Sequence, residues 1–125
     1  MTPDELHGLA DAFFGAVERG DLDDVRRLYH PEARIWHNYD QVAQGVEENL
    51  RTLAWMVGRL FDRSYEVTRR ELLPDGFVQQ HVLRGLTRTG EPFAMPACMV
   101  VTCEHGRVTL VQEYLDPAQA APLRA

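Results

Sequence analysis

His81 and Glu113 are the two residues of this sequence whose types best suit the exchange of a proton with a ligand. Because side chains alternate between the faces of a strand, Gln79 shares a face with His81, and Val111 shares one with Glu113. If both faces point inward, an imidazole meets a carboxylate in an apolar setting. The carboxylate then fixes the tautomer, and the imidazole titrates near neutral pH. The alternative interpretation is a buried hydrogen-bonded pair or a dimer contact without catalysis.

A second group of candidate residues occupies positions 36–40, where five consecutive side chains can stack or form hydrogen bonds. They are Trp36, His37, Asn38, Tyr39 and Asp40. Alternation places Trp36 and Asn38 on one face of a strand and His37 on the other, and it leaves open which face is the inner one. Asp40 is expected to cap a following helix, which is the common use of Asp at such a position.

Apolar residues supply the remaining candidate contacts for a ligand. Trp55 and Met95 are predicted to form an apolar wall, although this composition is equally typical of plain core. No HExxH pattern or paired His spacing favours a metal site, and no Gly-rich phosphate loop is present. We therefore expect neither a metal nor a cofactor.

The second half of the chain has the composition of a meander of long strands. Three short segments rich in turn-forming residues divide it, at 73–76, 89–92 and 104–107. A shorter strand, Ala33–Asn38, is predicted earlier in the chain. The four long strands are predicted at Tyr65–Leu72, Phe77–Arg88, Phe93–Cys103 and Val108–Leu115.

Three helices are predicted in the first half of the chain. Thr2 can cap the first one in a capping box with Glu5, and Gly20 can end it. Asp21 can cap a short second helix. A third follows from the helical spacing of apolar residues over Val46–Phe61. Helices followed by a meander imply an α+β fold with the helices on one face of an antiparallel sheet.

The last two strands are apolar on both faces, at Met99–Val101 and at Val108–Val111. The face away from the helices therefore needs a cover, and a second copy of the chain is the simplest one. We expect a homodimer.

Composition narrows the class of protein. The 125 residues suit one domain, 1–125. A net charge of −6 argues against nucleic acid and anionic membranes as partners. The N-terminus lacks a signal-peptide pattern and no apolar run approaches a membrane span, so a cytoplasmic location is expected. Cys98 and Cys103 are too far apart along one strand to bond each other.

The order of elements and three short motifs resemble the NTF2-like superfamily. The motifs are GDLD at 20–23, LYHPEA at 28–33 and EYLD at 113–116. The resemblance is strongest to SnoaL-like polyketide cyclases, ketosteroid isomerases and limonene-epoxide hydrolases. It implies a cone in which three helices pack on a strongly curved antiparallel sheet and enclose a pocket. Because this superfamily hosts many activities and also non-catalytic proteins, the activity depends on the site.

Individual positions can be compared with those families. The oxyanion-hole tyrosine of ketosteroid isomerases corresponds to Phe13, their general-base aspartate to His37, and their neutral acid, within about one residue, to Cys98. A phenyl ring donates no hydrogen bond, so steroid isomerase activity is not expected.

The epoxide-hydrolase pattern is also incomplete. Its Tyr-x-Asn falls on residues 36–38 and retains Asn38, whereas its Arg-x-Asp falls on residues 79–81 and loses both charges. Its carboxylate before the final Tyr-x-Asp corresponds to Glu113. The cyclase pattern therefore leaves the most room for these residues.

These comparisons predict a SnoaL-like enzyme or binding protein for a small apolar molecule. An enzyme would be an isomerase, cyclase or hydrolase that works by acid–base chemistry without a metal. The alternative is a non-catalytic dimeric domain that binds a ligand or a partner. The predicted catalytic residues are His81, Glu113 and His37. The predicted ligand contacts are Phe13, Trp36, Asn38, Trp55, Gln79, Met95, Cys98 and Val111.

Overall fold

A computed structural model describes all residues, 1–125, and contains three α-helices. They are α1 (Pro3–Arg19), α2 (Leu22–Leu28) and α3 (Val46–Val57). Thr2 and Glu5 form the reciprocal capping box, and Gly20 adopts a left-handed φ of 71° after α1. Asp21 caps α2 by accepting a hydrogen bond from the backbone N–H of Asp24 at 3.0 Å. The predicted helix ends are confirmed at these three points.

The third helix is shorter than its apolar spacing predicted. It ends at Val57, and Gly58 follows it. Leu60 is fully buried in a small separate cluster, and Phe61 begins a strand. The apolar spacing continued past the helix because both residues are needed for packing in another element.

Asp40 does not cap α3, so that prediction is wrong. Gly45 precedes the helix without a side-chain cap. The Asp40 carboxylate instead accepts a hydrogen bond from the backbone N–H of Val42 at 3.0 Å, which is the local turn that Asp commonly forms.

Six strands form one curved, unclosed sheet. They are β1 (Tyr29–His37), β2 (Ala43–Gln44), β3 (Phe61–Leu73), β4 (Gly76–Leu86), β5 (Pro92–Glu104) and β6 (Arg107–Leu115). Their order is β2-β1-β6-β5-β4-β3. The three predicted hairpins are confirmed. β1 runs parallel to β6, which corrects the expectation of an all-antiparallel sheet. No hairpin joins these two strands, so no turn fixes their relative direction.

A C-terminal 3₁₀-helix, Pro117–Arg124, was not predicted. Asp116 caps it by accepting a hydrogen bond from the backbone N–H of Ala118 at 3.0 Å. Leu123 is 2% exposed and belongs to a small apolar cluster with Leu60, Leu83 and Phe93. The chain therefore ends by packing against the wide end of the sheet. None of the helices is long and apolar enough to cross a membrane.

The main core lies between α1 and the inner face of the sheet. Phe14 packs edge-on against Phe77, with ring centroids 6.4 Å apart. Alternation places Phe77 and Val101 on this face together with Val111, and all three are buried. Burial of each such side chain contributes about 1.5–3 kcal/mol. The same alternation also places some polar residues of these strands on the inner face.

Candidate functional site

A row of four residues crosses the inner face of the sheet. His37 on β1 pairs in register with Glu113 on β6, Glu113 pairs with Met99 on β5, and Met99 pairs with Gln79 on β4. Residues directly opposite each other share a face. We refer to Gln79, Met99, Glu113 and His37 as the inner row.

His37 and Glu113 form an ion-pair contact at one end of this row. His37 Nε2 lies 3.1 Å from Glu113 Oε1, and the two side chains are 6% and 18% exposed. The orientation that alternation left open is therefore the inward one. His37 Nδ1 is buried and has no hydrogen-bond partner. Nδ1 is therefore a polar atom that a bound molecule could satisfy.

The charge of the Glu113 carboxylate affects the pKa of three tyrosines. Burial raises the pKa of Tyr29, Tyr39 and Tyr65, and the negative charge of Glu113 raises each pKa further. Tyr29 donates a hydrogen bond from its hydroxyl to Asn49 Oδ1 at 2.8 Å. Glu113 thus lies in the interior of the cone among neutral phenols. Sequence reasoning missed Tyr29 and Tyr65 because buried aromatic residues are also the ordinary material of a core.

His81 is also buried, but its neighbours differ from those of His37 and Glu113. Its ring packs against Phe14 and Tyr65, with centroids 5.3 and 4.8 Å apart. Its Nδ1 is 2.9 Å from Gln79 Nε2. Burial lowers the pKa of His81, and the charge of Glu113 opposes this effect in part.

His81 and Glu113 share the inner face but form neither a hydrogen bond nor an ion pair. The prediction that His81 supplies the donor for Glu113 is therefore wrong. The physical reason is strand order, because β5 separates β4 from β6, whereas β1 lies directly beside β6. Glu113 consequently finds its partner in His37.

An apolar cavity of about 180 Å³ lies next along the strands from the inner row, and His37, His81 and Glu113 are not among its lining residues. Leu83 and Leu115, two residues after His81 and Glu113, contribute to its wall. Trp55, Met95 and Tyr39 also line it, as does Leu123 of the 3₁₀-helix. A cavity of about 150 Å³ can hold a benzene molecule, so this one is large enough for a small aromatic molecule.

Two predicted ligand contacts, Phe13 and Val111, lie in the main core. Both are buried, and the Phe13 ring packs against that of Tyr29 with centroids 5.3 Å apart. Asn38 uses its side-chain oxygen to accept a hydrogen bond from the backbone N–H of Leu115 at 3.0 Å. The structure therefore gives these three residues packing or backbone contacts.

Trp36 and Cys98 lie on the outer face, so the prediction that they contact a ligand inside the cone is wrong. The Trp36 ring packs against Tyr114, with centroids 5.4 Å apart, and Cys98 pairs in register with Tyr114. A shift of one residue exchanges the two faces of a strand. The inner neighbour of Cys98 is Met99, which sequence comparison missed by that one residue.

No three side chains of His, Cys, Asp or Glu converge in a way that could hold a metal ion. The site consists instead of a buried His–Glu pair, a separate His–Gln pair, neutral tyrosines and an adjoining apolar cavity. This arrangement can accept a proton at one carboxylate and can donate hydrogen bonds from imidazole or phenol groups.

Residues 10–111 match the family model described as a SnoaL-like domain. The chain belongs to this family. No curated protein sequence matches the SnoaL-like chain significantly.

Several solved structures share the fold of this SnoaL-like domain. PrhC from Penicillium brasilianum superposes with a TM-score of 0.86 at 13% identity, covering 98% of this chain and 87% of that one. IdmH from Streptomyces antibioticus, a proposed polyketide cyclase, gives 0.81 at 20% identity, covering 95% and 98%. An LEH-like epoxide hydrolase from M. tuberculosis gives 0.76 at 19% identity, covering 97% and 90%. At these identities the likeness establishes the NTF2-like cone.

Proposed function

We propose that this SnoaL-like domain binds a small apolar molecule in its cone and acts on it by acid–base chemistry, with Glu113 as the base. The observation that carries the proposal is the Glu113 carboxylate on the inner face, 3.1 Å from His37 and two residues before Leu115 in the wall of the apolar cavity. A carboxylate on the inner face of the cone is a group that can take a proton from a bound molecule.

His37 holds Glu113 in place in this proposal. Its Nε2 lies 3.1 Å from one carboxylate oxygen, and in this proposal the other oxygen faces a ligand. No metal and no cofactor takes part. We also propose a cytoplasmic location, which is consistent with Cys98 and Cys103 both being free thiols.

Hydrogen exchange into a simple ketone tests the chemistry without knowledge of the natural ligand. 1-Indanone is a bicyclic ketone with exchangeable C–H bonds next to its carbonyl. A base removes one of these protons to give the enolate, and a deuteron from D₂O returns to carbon. We expect the protein to accelerate this exchange, measured by NMR.

Glu113→Gln preserves the shape of the side chain and removes the base, so it should lower the exchange rate by about 10²-fold or more. Glu104→Gln is the matched control, because Glu104 is well exposed and its substitution causes the same change in charge. Equal rates for the wild type and Glu113→Gln would refute Glu113 as the base. Native mass spectrometry of the purified protein would show the mass of any co-purified ligand.

A non-catalytic binding domain is the second candidate, and one observation favours it. The cavity has a volume of only about 180 Å³, and residues of the 3₁₀-helix form part of its wall. In that case 1-indanone would bind without hydrogen exchange, and Glu113→Gln would change neither its binding nor its exchange rate.

We further propose that the protein forms a homodimer through the outer face of the sheet. Tyr114 is 44% exposed there, and Trp36 packs beside it. Exposed apolar side chains on a sheet are typical of an interface, and a second copy offers a matching surface.

A further inference from the structure

A chain of polar contacts runs from α1 to His81 and is separate from the His37–Glu113 pair. Arg70 on β3 forms an ion pair with Asp11 of α1, with Nη1 3.0 Å from Oδ1. Arg70 Nε donates to Gln79 Oε1 at 2.9 Å. Gln79 Nε2 in turn lies 2.9 Å from His81 Nδ1.

The chemistry of these groups fixes the direction of each bond. A guanidinium only donates hydrogen bonds, so the oxygen of the Gln79 amide must face Arg70. The amide NH₂ then faces His81 and requires a lone pair on Nδ1. A neutral His81 must therefore carry its proton on Nε2, because a proton on Nδ1 would place two donors against each other.

The other ring nitrogen of His81 remains available. Nε2 forms no hydrogen bond within the chain. It is not fully enclosed, because the only fully enclosed side-chain nitrogen or oxygen atom without a partner is His37 Nδ1. Nε2 of His81 therefore retains some exposed surface. Phe14 and Tyr65 hold the ring on two sides, so its direction is fixed.

We propose that Gln79, oriented by Arg70, is a positioning residue that keeps His81 neutral with its proton on Nε2, so that His81 donates a hydrogen bond to a ligand oxygen. The ligand part of this inference rests on the proposed function. It divides the roles, with Glu113 as the base and His81 as the donor. The ligand class is then an apolar molecule with a carbonyl oxygen next to an acidic C–H bond.

The electrostatic surroundings of His81 agree with this division. Burial lowers its pKa, which disfavours the doubly protonated ring. Glu113 on β6 is the acidic group that acts on it, and Tyr65 on β3 is neutral. Arg70 reaches His81 only through the Gln79 amide.

The tautomer can be measured on the free protein by NMR with ¹⁵N-labelled histidine, and the His81 signals can be assigned by their loss in His81→Gln. We expect Nε2 to be protonated and Nδ1 to be unprotonated at pH 7. A wild-type His81 that is protonated on Nδ1, alone or together with Nε2, would overturn the inference.

Gln79→Glu reverses the polarity of one bond, because a carboxylate accepts from Arg70 and also from a protonated Nδ1. We expect His81 to shift to the Nδ1-protonated or doubly protonated form. Gln80→Glu is the matched control, since Gln80 is the next residue on β4 but is exposed on the outer face. The His81 signals of this variant should be the same as those of the wild type. Unchanged signals in Gln79→Glu would contradict the positioning role. If that variant does not fold, Gln79→Leu should instead show a mixture of both tautomers.

The ligand class is tested with 1-indanone and indane, which differ only in the carbonyl group. We expect 1-indanone to bind roughly 2- to 10-fold more tightly, as one hydrogen bond provides, and to shift the Nε2–H signal of His81. Gln79→Glu should lose this preference. If both probes bind equally, the ligand class is refuted. If neither binds, the proposed function fails as well, while the tautomer result stands independently.

Discussion

At one level of the cone, the polar residues on the two faces of the sheet differ in whether they have fixed partners. The residues involved are nevertheless neighbours in the chain. The inner row has an outer counterpart on the same four strands, one residue away in each case. We refer to this outer set as the outer row. It consists of Gln80, Cys98, Tyr114 and Trp36.

The rows differ in the fixed partners of their polar groups. In the inner row, Glu113 pairs with His37, and Gln79 bonds both Arg70 and His81. In the outer row, Gln80 is exposed and Tyr114 is 44% exposed. Residue type therefore says little about role here. The face of the sheet decides whether a polar side chain has a fixed partner within the chain or stays exposed.

The largest effect is expected from a charge placed in the outer row. Tyr114→Arg brings like charges together across the proposed dimer, which costs several kcal/mol, so the protein should sediment as a monomer at micromolar concentration. Thr89→Arg, in the exposed turn between β4 and β5, is the control and should remain dimeric. A wild-type protein that is already monomeric would refute the dimer.

Breaking the inner pair should reduce stability. His37→Leu leaves the Glu113 carboxylate without its partner, and we expect the free energy of unfolding in urea to fall by about 1–3 kcal/mol. In a Glu113→Leu background the same substitution should cost less, since no carboxylate remains to be satisfied. Equal costs in the two backgrounds would show that the pair contributes nothing.

The pH dependence of stability should contain a contribution from His81. Its pKa is lowered in the folded protein, so the unfolded chain takes up this proton at a higher pH. The free energy of unfolding should fall as pH drops through about 6.5, the ordinary His value, toward the lower folded pKa. The slope between pH 7.5 and 5.5 should be flatter in His81→Gln, by up to about 1.4 kcal/mol per pH unit.

His105→Asn provides the control for this titration, because His105 lies in an exposed turn with a φ of 51° that Asn tolerates. Its pH dependence should match that of the wild type. A wild-type slope identical to that of His81→Gln would contradict the lowered pKa.

The smallest effect concerns the two thiols, which lie on opposite faces of β5. Burial raises the pKa of the Cys103 thiol to about 11, so little thiolate exists at pH 8. Iodoacetamide should alkylate Cys98 first, as followed by mass spectrometry, and faster in the Tyr114→Arg monomer. Labelling of Cys103 at the same rate as Cys98 in the folded protein would contradict this contrast between the faces.

Much of the fold could be predicted from local patterns. Thr2, Gly20 and Asp21 marked the helix ends because capping depends on a few adjacent residues. Turn-forming segments placed the three hairpins. The end of α3 was predicted too far along the chain, since Phe61 continues the apolar spacing although it belongs to β3. The 3₁₀-helix was missed, although Asp116 followed by Pro117 is a recognisable helix start.

The sequence by itself determined which residues of each strand share a face, because alternation is a local property with a period of two. It therefore grouped Glu113 with Val111, and Gln79 with His81. It could not determine which strands are neighbours when no hairpin joins them. The parallel pairing of β1 with β6 depends on the packing of the whole chain, and it made His37 rather than His81 the partner of Glu113.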